Sequence, residues 1–267
     1  MYYSAKYPNE FIAVRTSITV PEKPPTVGTV FLWPGLDPGP SPRFLPIDNG
    51  VLQPVLTWGT SCAPGLQPPA YTSCWISAQY VNTFGHEPGY TDCHGGPNMR
   101  VSPGDVLDLS LQLHGTIWTQ IIRDERTNGS VRFAFDLRGQ PQNLLSFGIE
   151  RYGGTPILPV RFRNTTIAVA RHDPAACRGR NDTNGDPRNH VSPSIFLGVN
   201  AICRVDTIAI FDRTAPRHEC LLESFTHQSH IDWRVAEGLN EAMASKTGTV
   251  TGVHPKRLFN VYTGPRF

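Results

Sequence analysis

The chain has no apolar run long enough to span a bilayer, so a helical membrane anchor is excluded within it. It is poor in charge: Asp, Glu, Lys and Arg make up 17% of 267 residues, and the formal net charge is +2. The arginines are scattered, as at Arg151, Arg161, Arg163, Arg171, Arg178 and Arg180. With no basic stripe interleaved with aromatics, nucleic acid is excluded as the expected partner. None of the six cysteines forms C-x-x-C, which removes zinc-knuckle and dithiol redox chemistry. G-x-S-x-G is missing, so there is no nucleophile elbow, and no glycine-rich loop is built to cradle phosphate. Met1-Tyr2-Tyr3-Ser4-Ala5-Lys6 does not open a charged-then-apolar export signal.

Turn formers are plentiful, with 24 Gly and 25 Pro, and 39% of the residues are hydrophobic. Such a composition suits many short strands joined by tight turns around a real core, and argues against long helices. Alternation predicts strands over 11–20, 29–33, 51–58, 71–81, 106–113, 117–122, 131–137, 144–150, 157–162, 166–170 and 205–211. Pro54 within the third of these predicts an edge or a bulge. Residues 82–100 and 172–194 read as loops. Beyond residue 212 the spacing turns helical, with Trp233, Val235, Leu239 and Met243 as the apolar face. The expected fold is all-β: a two-sheet antiparallel β-sandwich over 1–212, with a partly helical C-terminal extension over 213–267 packed on it.

Two strand-like runs each carry a polar residue with functional potential. Gln53 lies in Val51–Trp58, and Glu150 ends Leu144–Glu150. Burying either without a partner costs several kcal/mol, roughly 2–7 for a neutral amide and more for a carboxylate. From spacing alone, the simpler reading is that each points to solvent from the polar face of its strand. The other is that they meet on one sheet face, sharing a water at the floor of a cleft.

The cysteines are Cys62, Cys74, Cys93, Cys177, Cys203 and Cys220. An even count fits three disulfides, and three cysteines on each side of the middle require at least one bridge between the halves if all pair within the chain. The expected pairing is Cys74–Cys93, Cys177–Cys203 and Cys62–Cys220. Sequons at Asn128, Asn164 and Asn181 add to a picture of a secreted, extracellular glycoprotein whose export signal is not part of this sequence.

Trp33-Pro34-Gly35-Leu36-Asp37 followed by Val51-Leu52-Gln53 resembles the W-x-G-[IL]-D … [IV]-L-Q signature of the glutamic peptidases (eqolisins). Val101-Ser102-Pro103-Gly104-Asp105 resembles the turn before the next long strand of those proteins. Leu144 to Glu150, with Ile157-Leu158-Pro159 and Phe162-Arg163-Asn164, resembles the segment bearing their second signature residue, a Glu. The resemblance runs over about residues 10–212 and implies a concanavalin-A-like (lectin-like) sandwich. It also implies a metal-free, cofactor-free hydrolase in which Gln53 and Glu150, on adjacent strands of a concave sheet, activate water against a polymeric peptide. Glu150 would serve as base and then acid, working at acid pH if it must begin protonated. Gln53 would hold the water and the oxyanion. Trp33, Asp37, Trp58, Trp75 and Ser77 are the substrate-binding candidates. Where peptidase members carry W-x-E, this chain has Trp75-Ile76-Ser77. Together with the aromatic set, that departure keeps open a second reading, a carbohydrate-binding or carbohydrate-active lectin-like protein.

No metal is expected. Asp182, Asn184 and Asp186 have the alternating oxygen spacing of a calcium loop but lack its later bidentate acid, so a solvated turn is the simpler reading. His86, His94, His227 and His230 read as surface or loop histidines.

Overall fold

A computed structural model describes residues 1–24, 28–39, 47, 50–59, 74–82, 87–153, 159–180, 190–191, 194–197 and 202–210. Its strands are β1 (Tyr2–Ser4), β2 (Phe11–Thr19), β3 (Thr29–Asp37), β4 (Val51–Trp58), β5 (Cys74–Asn82), β6 (Asp92–Val101) and β7 (Val106–His114). They continue as β8 (Ile117–Asp124), β9 (Ser130–Asp136), β10 (Leu144–Tyr152), β11 (Val160–Val169), β12 (His190–Val191), β13 (Ser194–Leu197) and β14 (Ile202–Ile210). Among the described residues a single 3-10 turn, Pro174–Cys177, is capped by the Asp173 carboxylate accepting from the Ala175 N–H.

The strands form two antiparallel sheets. One is six-stranded in the order β1-β10-β3-β4-β5-β6; the other is eight-stranded in the order β12-β14-β11-β2-β7-β8-β9, with β13 also on β14. The all-β sandwich expected from the sequence is the fold of the described residues. The helical extension over 213–267 lies outside them.

Strict alternation explains why the sheets stack. Leu107, Leu109, Leu111 and Leu113 of β7 are all buried, and the residues between them are half-buried. From the other sheet, Leu32 and Leu36 of β3, Leu52 and Leu56 of β4, and Leu145 and Phe147 of β10 join the same core. Burying each such side chain contributes roughly 1.5–3 kcal/mol. A hydrogen bond crosses this core: at a register shift between Ser77 and Gln79, the Gln79 carbonyl accepts from Gln120 Nε2 of the opposite sheet at 2.8 Å.

Several sequence-based expectations change. Residues 92–100, read as loop, belong to edge strand β6, in which the shift opposite Ser77–Gln79 absorbs Gly96 and Pro97. β4 is a central strand, despite Pro54. The β3–β4 register is the same on either side of the gap, Leu32↔Leu56 and Leu36↔Leu52, and so sets Pro34 opposite Pro54. Neither residue has an N–H to donate, so the prolines share one interruption of the ladder.

The pairing of Cys177 with Cys203 is observed, closing a loop of sequence separation 26. The pairing of Cys74 with Cys93 is not. Cys74 is a free, buried thiol on the core face, opposite Trp58 and Val101, and burial raises its pKa. Cys93 stands opposite Val81, at the far end of β5. Seven residues of strand, roughly 23 Å, separate those positions. Cys93 is itself disulfide-bonded, though not to Cys74. Cys62 and Cys220 lie outside the described residues, so all six being oxidised is overturned by Cys74 alone.

Candidate active site

Residues directly opposite in neighbouring strands point to the same side of a sheet. In the six-stranded sheet, Leu36, Leu52, Ala78 and Tyr80 turn to the core, so their neighbours turn away from it. On that other face stand Trp33, Gly35 and Asp37 of β3, Gln53 and Thr57 of β4, Trp75, Ser77 and Gln79 of β5, and Ser146, Gly148 and Glu150 of β10. Six of the seven sequence-derived candidates therefore share one surface. Trp58 does not: it lies on the core side at 4% exposure, where its indole packs among apolar side chains.

The middle of this face is polar and shielded from solvent. Thr57 and Ser77 are each 1% exposed and Gln79 is 2% exposed. Thr57 Oγ1, Ser77 Oγ, Gln79 Oε1 and the indole Nε1 atoms of Trp33 and Trp75 are buried without a hydrogen-bond partner. A folded chain leaves only a few buried polar groups unpaired per hundred residues, because each costs about 1–3 kcal/mol. Five such atoms lie together on neighbouring strands and form a polar floor beneath the exposed surface of this face.

Two glycines let one aromatic wall lie flat. A Cβ at Gly148 would come within 2.9 Å of the Trp33 ring, and one at Gly35 would meet the same ring at 2.9 Å. The indole thus covers both backbones, which any other residue would block. At the far end of β10, Phe31 and Tyr152 meet edge to face, with centroids 5.9 Å apart.

The two carboxyls sit far apart along this face: Asp37 ends β3, and Glu150 of β10 stands opposite Phe31 near the start of β3. Asp37 is half-buried; its Oδ1 accepts from the Gly39 N–H at 2.7 Å, yet burial outweighs that bond and lifts its pKa to about 6. Glu150 is exposed at the rim, opposite Phe31, and the protein around it raises its pKa as well.

The expectation that Gln53 and Glu150 occupy adjacent strands is corrected by the strand order. β3 lies between β4 and β10, and the residue across that strand from Gln53, beyond Gly35, is Ser146. Glu150 is four residues farther along β10. Ideal spacing separates the Gln53 and Glu150 Cα atoms by roughly 16 Å. Asp37, by contrast, is a diagonal neighbour of Gln53 on the adjacent strand, roughly 7–8 Å away. Reading the sequence missed Thr57, Gln79 and Ser146, although two of the three were available as the positions alternating with Gln53 and Ser77.

Of the sequons, Asn128 and Asn164 are exposed, with positive φ of 56° and 52°, in the β8–β9 turn and at a bulge of β11. Asn181 and the calcium-loop residues Asp182, Asn184 and Asp186 lie outside the described residues. Among the described residues, no three His, Cys, Asp or Glu side chains are grouped to hold a metal ion.

No protein-family model matches the chain, and no curated protein matches it. Solved structures do. One is scytalido-glutamic peptidase with a transition state analog inhibitor, at 12% identity and a TM-score of 0.48 over 77% of this chain and 95% of that one. The same enzyme with a peptide-based analog gives 13% identity and a TM-score of 0.44 over 77% and 97%. SCP-B, a member of the eqolisin family of peptidases in a complex with a tripeptide, gives 12% identity and a TM-score of 0.42 over 77% and 96%.

Proposed function

We propose that this protein is a secreted hydrolase that binds an extended polypeptide along the face of its six-stranded sheet and cleaves it with water, using Gln53 and a carboxyl of the same face. The observation that carries this reading is the group of five buried, unpartnered polar atoms beside Gln53 and two carboxyls of raised pKa. A chain that displaces what covers this floor gains hydrogen bonds from it, while Trp33 and Trp75 provide apolar area for its side chains. The Gln53 amide can donate to the oxyanion that forms when water adds to a carbonyl. The order of Trp33, Gly35, Asp37 and Gln53 in the sequence motif supports the same assignment. Cys177–Cys203 and the exposed Asn128 and Asn164 support an oxidising, glycosylating compartment.

The test is turnover of denatured casein and of internally quenched peptides between pH 2 and 8, beside a panel of β-glucans and other glycans. Peptide cleavage that falls roughly 10²–10³-fold in Gln53→Ala is expected. Binding or cleavage of glycans with no proteolysis at any pH would replace this reading by the lectin-like one. That alternative rests on the aromatic walls at Trp33 and Trp75, which suit a sugar ring as well as a peptide side chain.

A further inference from the structure

Resting on the hydrolase reading above, we propose that Asp37, not Glu150, is the carboxyl that takes the proton from the water held by Gln53. The strand register is the first reason. Asp37 and Gln53 lie diagonally on adjacent strands, whereas Glu150 is two strands across and four residues along. At roughly 7–8 Å between Cα atoms, two side chains reach one water; at roughly 16 Å they do not.

The surroundings of Asp37 are the second reason. Facing it are Leu144 and Ser146 from β10 and Val51 and Gln53 from β4, none of which titrates or carries charge. Among the described residues its carboxyl has one hydrogen bond, from the Gly39 N–H to Oδ1, and none to Oδ2. A half-buried carboxyl with uncharged neighbours among the described residues and a pKa of about 6 is suited to exchange protons near neutrality. Glu150, exposed at the rim, lies where a bound chain would leave the sheet.

The chemistry balances with water alone. The Asp37 carboxylate accepts a proton as the water oxygen bonds to the peptide carbonyl carbon. The carbonyl π pair moves onto its oxygen, which accepts from Gln53 Nε2. When the intermediate collapses, the C=O bond re-forms, the C–N bond breaks, and Asp37 returns its proton to the departing nitrogen. One water is consumed, and one carboxylic acid and one amine are released.

The experiment compares the full chain with its Asp37→Asn and Glu150→Gln variants on internally quenched peptides between pH 3 and 8. Asn keeps an oxygen for the Gly39 N–H, so Asp37→Asn is expected to fold and to lose about 10²–10⁴ in kcat. Glu150→Gln is expected to change kcat by less than about tenfold, its effect falling on KM. In the unaltered protein, kcat/KM should rise with pH through about 6, a limb that Asp37→Asn abolishes. The assignment is overturned if Asp37→Asn keeps more than a tenth of the turnover, if its limb survives, or if Glu150→Gln falls as far. Those results leave the hydrolase reading standing; no cleavage of any peptide by the unaltered protein removes both. Should Asp37→Asn fail to fold, carbon NMR of the Asp37 carboxyl in the unaltered protein decides. A titration midpoint matching the kinetic limb supports the assignment, and a mismatch overturns it.

Discussion

Replacing Asp37 by Asn should make the protein more stable at neutral pH and no more stable in acid. Burial lifts the Asp37 pKa from an ordinary 3.8 to about 6, against the pull of the Gly39 N–H. The folded chain therefore holds this proton more tightly than the unfolded chain does. Between about pH 4 and pH 6 the folded state binds more protons, so stability falls as pH rises through that window. Above it the full penalty applies, and below it there is none. A shift of about two units corresponds to roughly 3 kcal/mol as an upper bound, since one unit is about 1.4 kcal/mol. Some solvent reaches this half-buried side chain, so a gain of about 1–3 kcal/mol is expected at pH 7.5. For a domain of this size that raises the melting temperature by about 2–4 °C per kcal/mol. The assay is thermal and urea unfolding of both proteins at pH 3.5, 5 and 7.5. Effects of the other carboxyls cancel in the difference. An equal gain at every pH, or a loss at pH 7.5, would refute the reasoning, because either result means that the ionised carboxylate is not destabilised by its site. A stability gain accompanied by loss of turnover is the signature of a functional group held in an unfavourable place.

Two further outcomes follow from the same face. Gly148→Ala puts a methyl group within 2.9 Å of the Trp33 ring; it should lift the indole from the sheet, cost about 1–3 kcal/mol, and shift the tryptophan emission to longer wavelength. An unchanged spectrum and melting curve would mean that the ring does not lie over that glycine. Ser77→Ala removes a buried hydroxyl that has no partner, so it should leave the free protein as stable or about 1 kcal/mol more so, while weakening peptide binding by calorimetry. A clear loss of stability would show that the hydroxyl is bonded within the fold rather than kept for a ligand.

Much of the fold was legible because alternation is local. The run Val106–Leu113 announces which residues turn inward without reference to any other strand, and all four of its leucines are buried. What depends on distant partners was not legible. Gly95, Gly96 and Pro97 read as loop, yet an edge strand tolerates them because only one ladder must be kept and a register shift takes up the excess. Pro54 reads as an edge signal, but Pro34 faces it, and two residues without donors can share one interruption in the middle of a sheet. Trp58 looked like a cleft residue from its type alone; its parity with Leu52 and Leu56 puts it in the core. The same parity separates Cys74, on the core side, from Cys93, at the other end of its neighbour strand.

The candidate site divides along the same line. Trp33, Gly35 and Asp37 are successive residues on one face of β3, and their spacing of two is visible in the sequence. That spacing gives the motif a physical meaning: an aromatic wall, a backbone left bare so that the wall can lie flat, and a carboxyl at the end of the row. Gln53 falls on the same face because it stands opposite the bare glycine. Glu150 also falls there, and the resemblance to the glutamic-peptidase motifs pairs it with Gln53. Position along the strand is a separate variable, fixed by which residues pair across β3. The pairs Ser146↔Gly35 and Glu150↔Phe31 move Glu150 to the far end of the row. A sequence read by periodicity determines the side of a sheet on which a group lies but not its height along it, and sharing one water requires both. Asp37 meets both requirements with Gln53; Glu150 meets only the first.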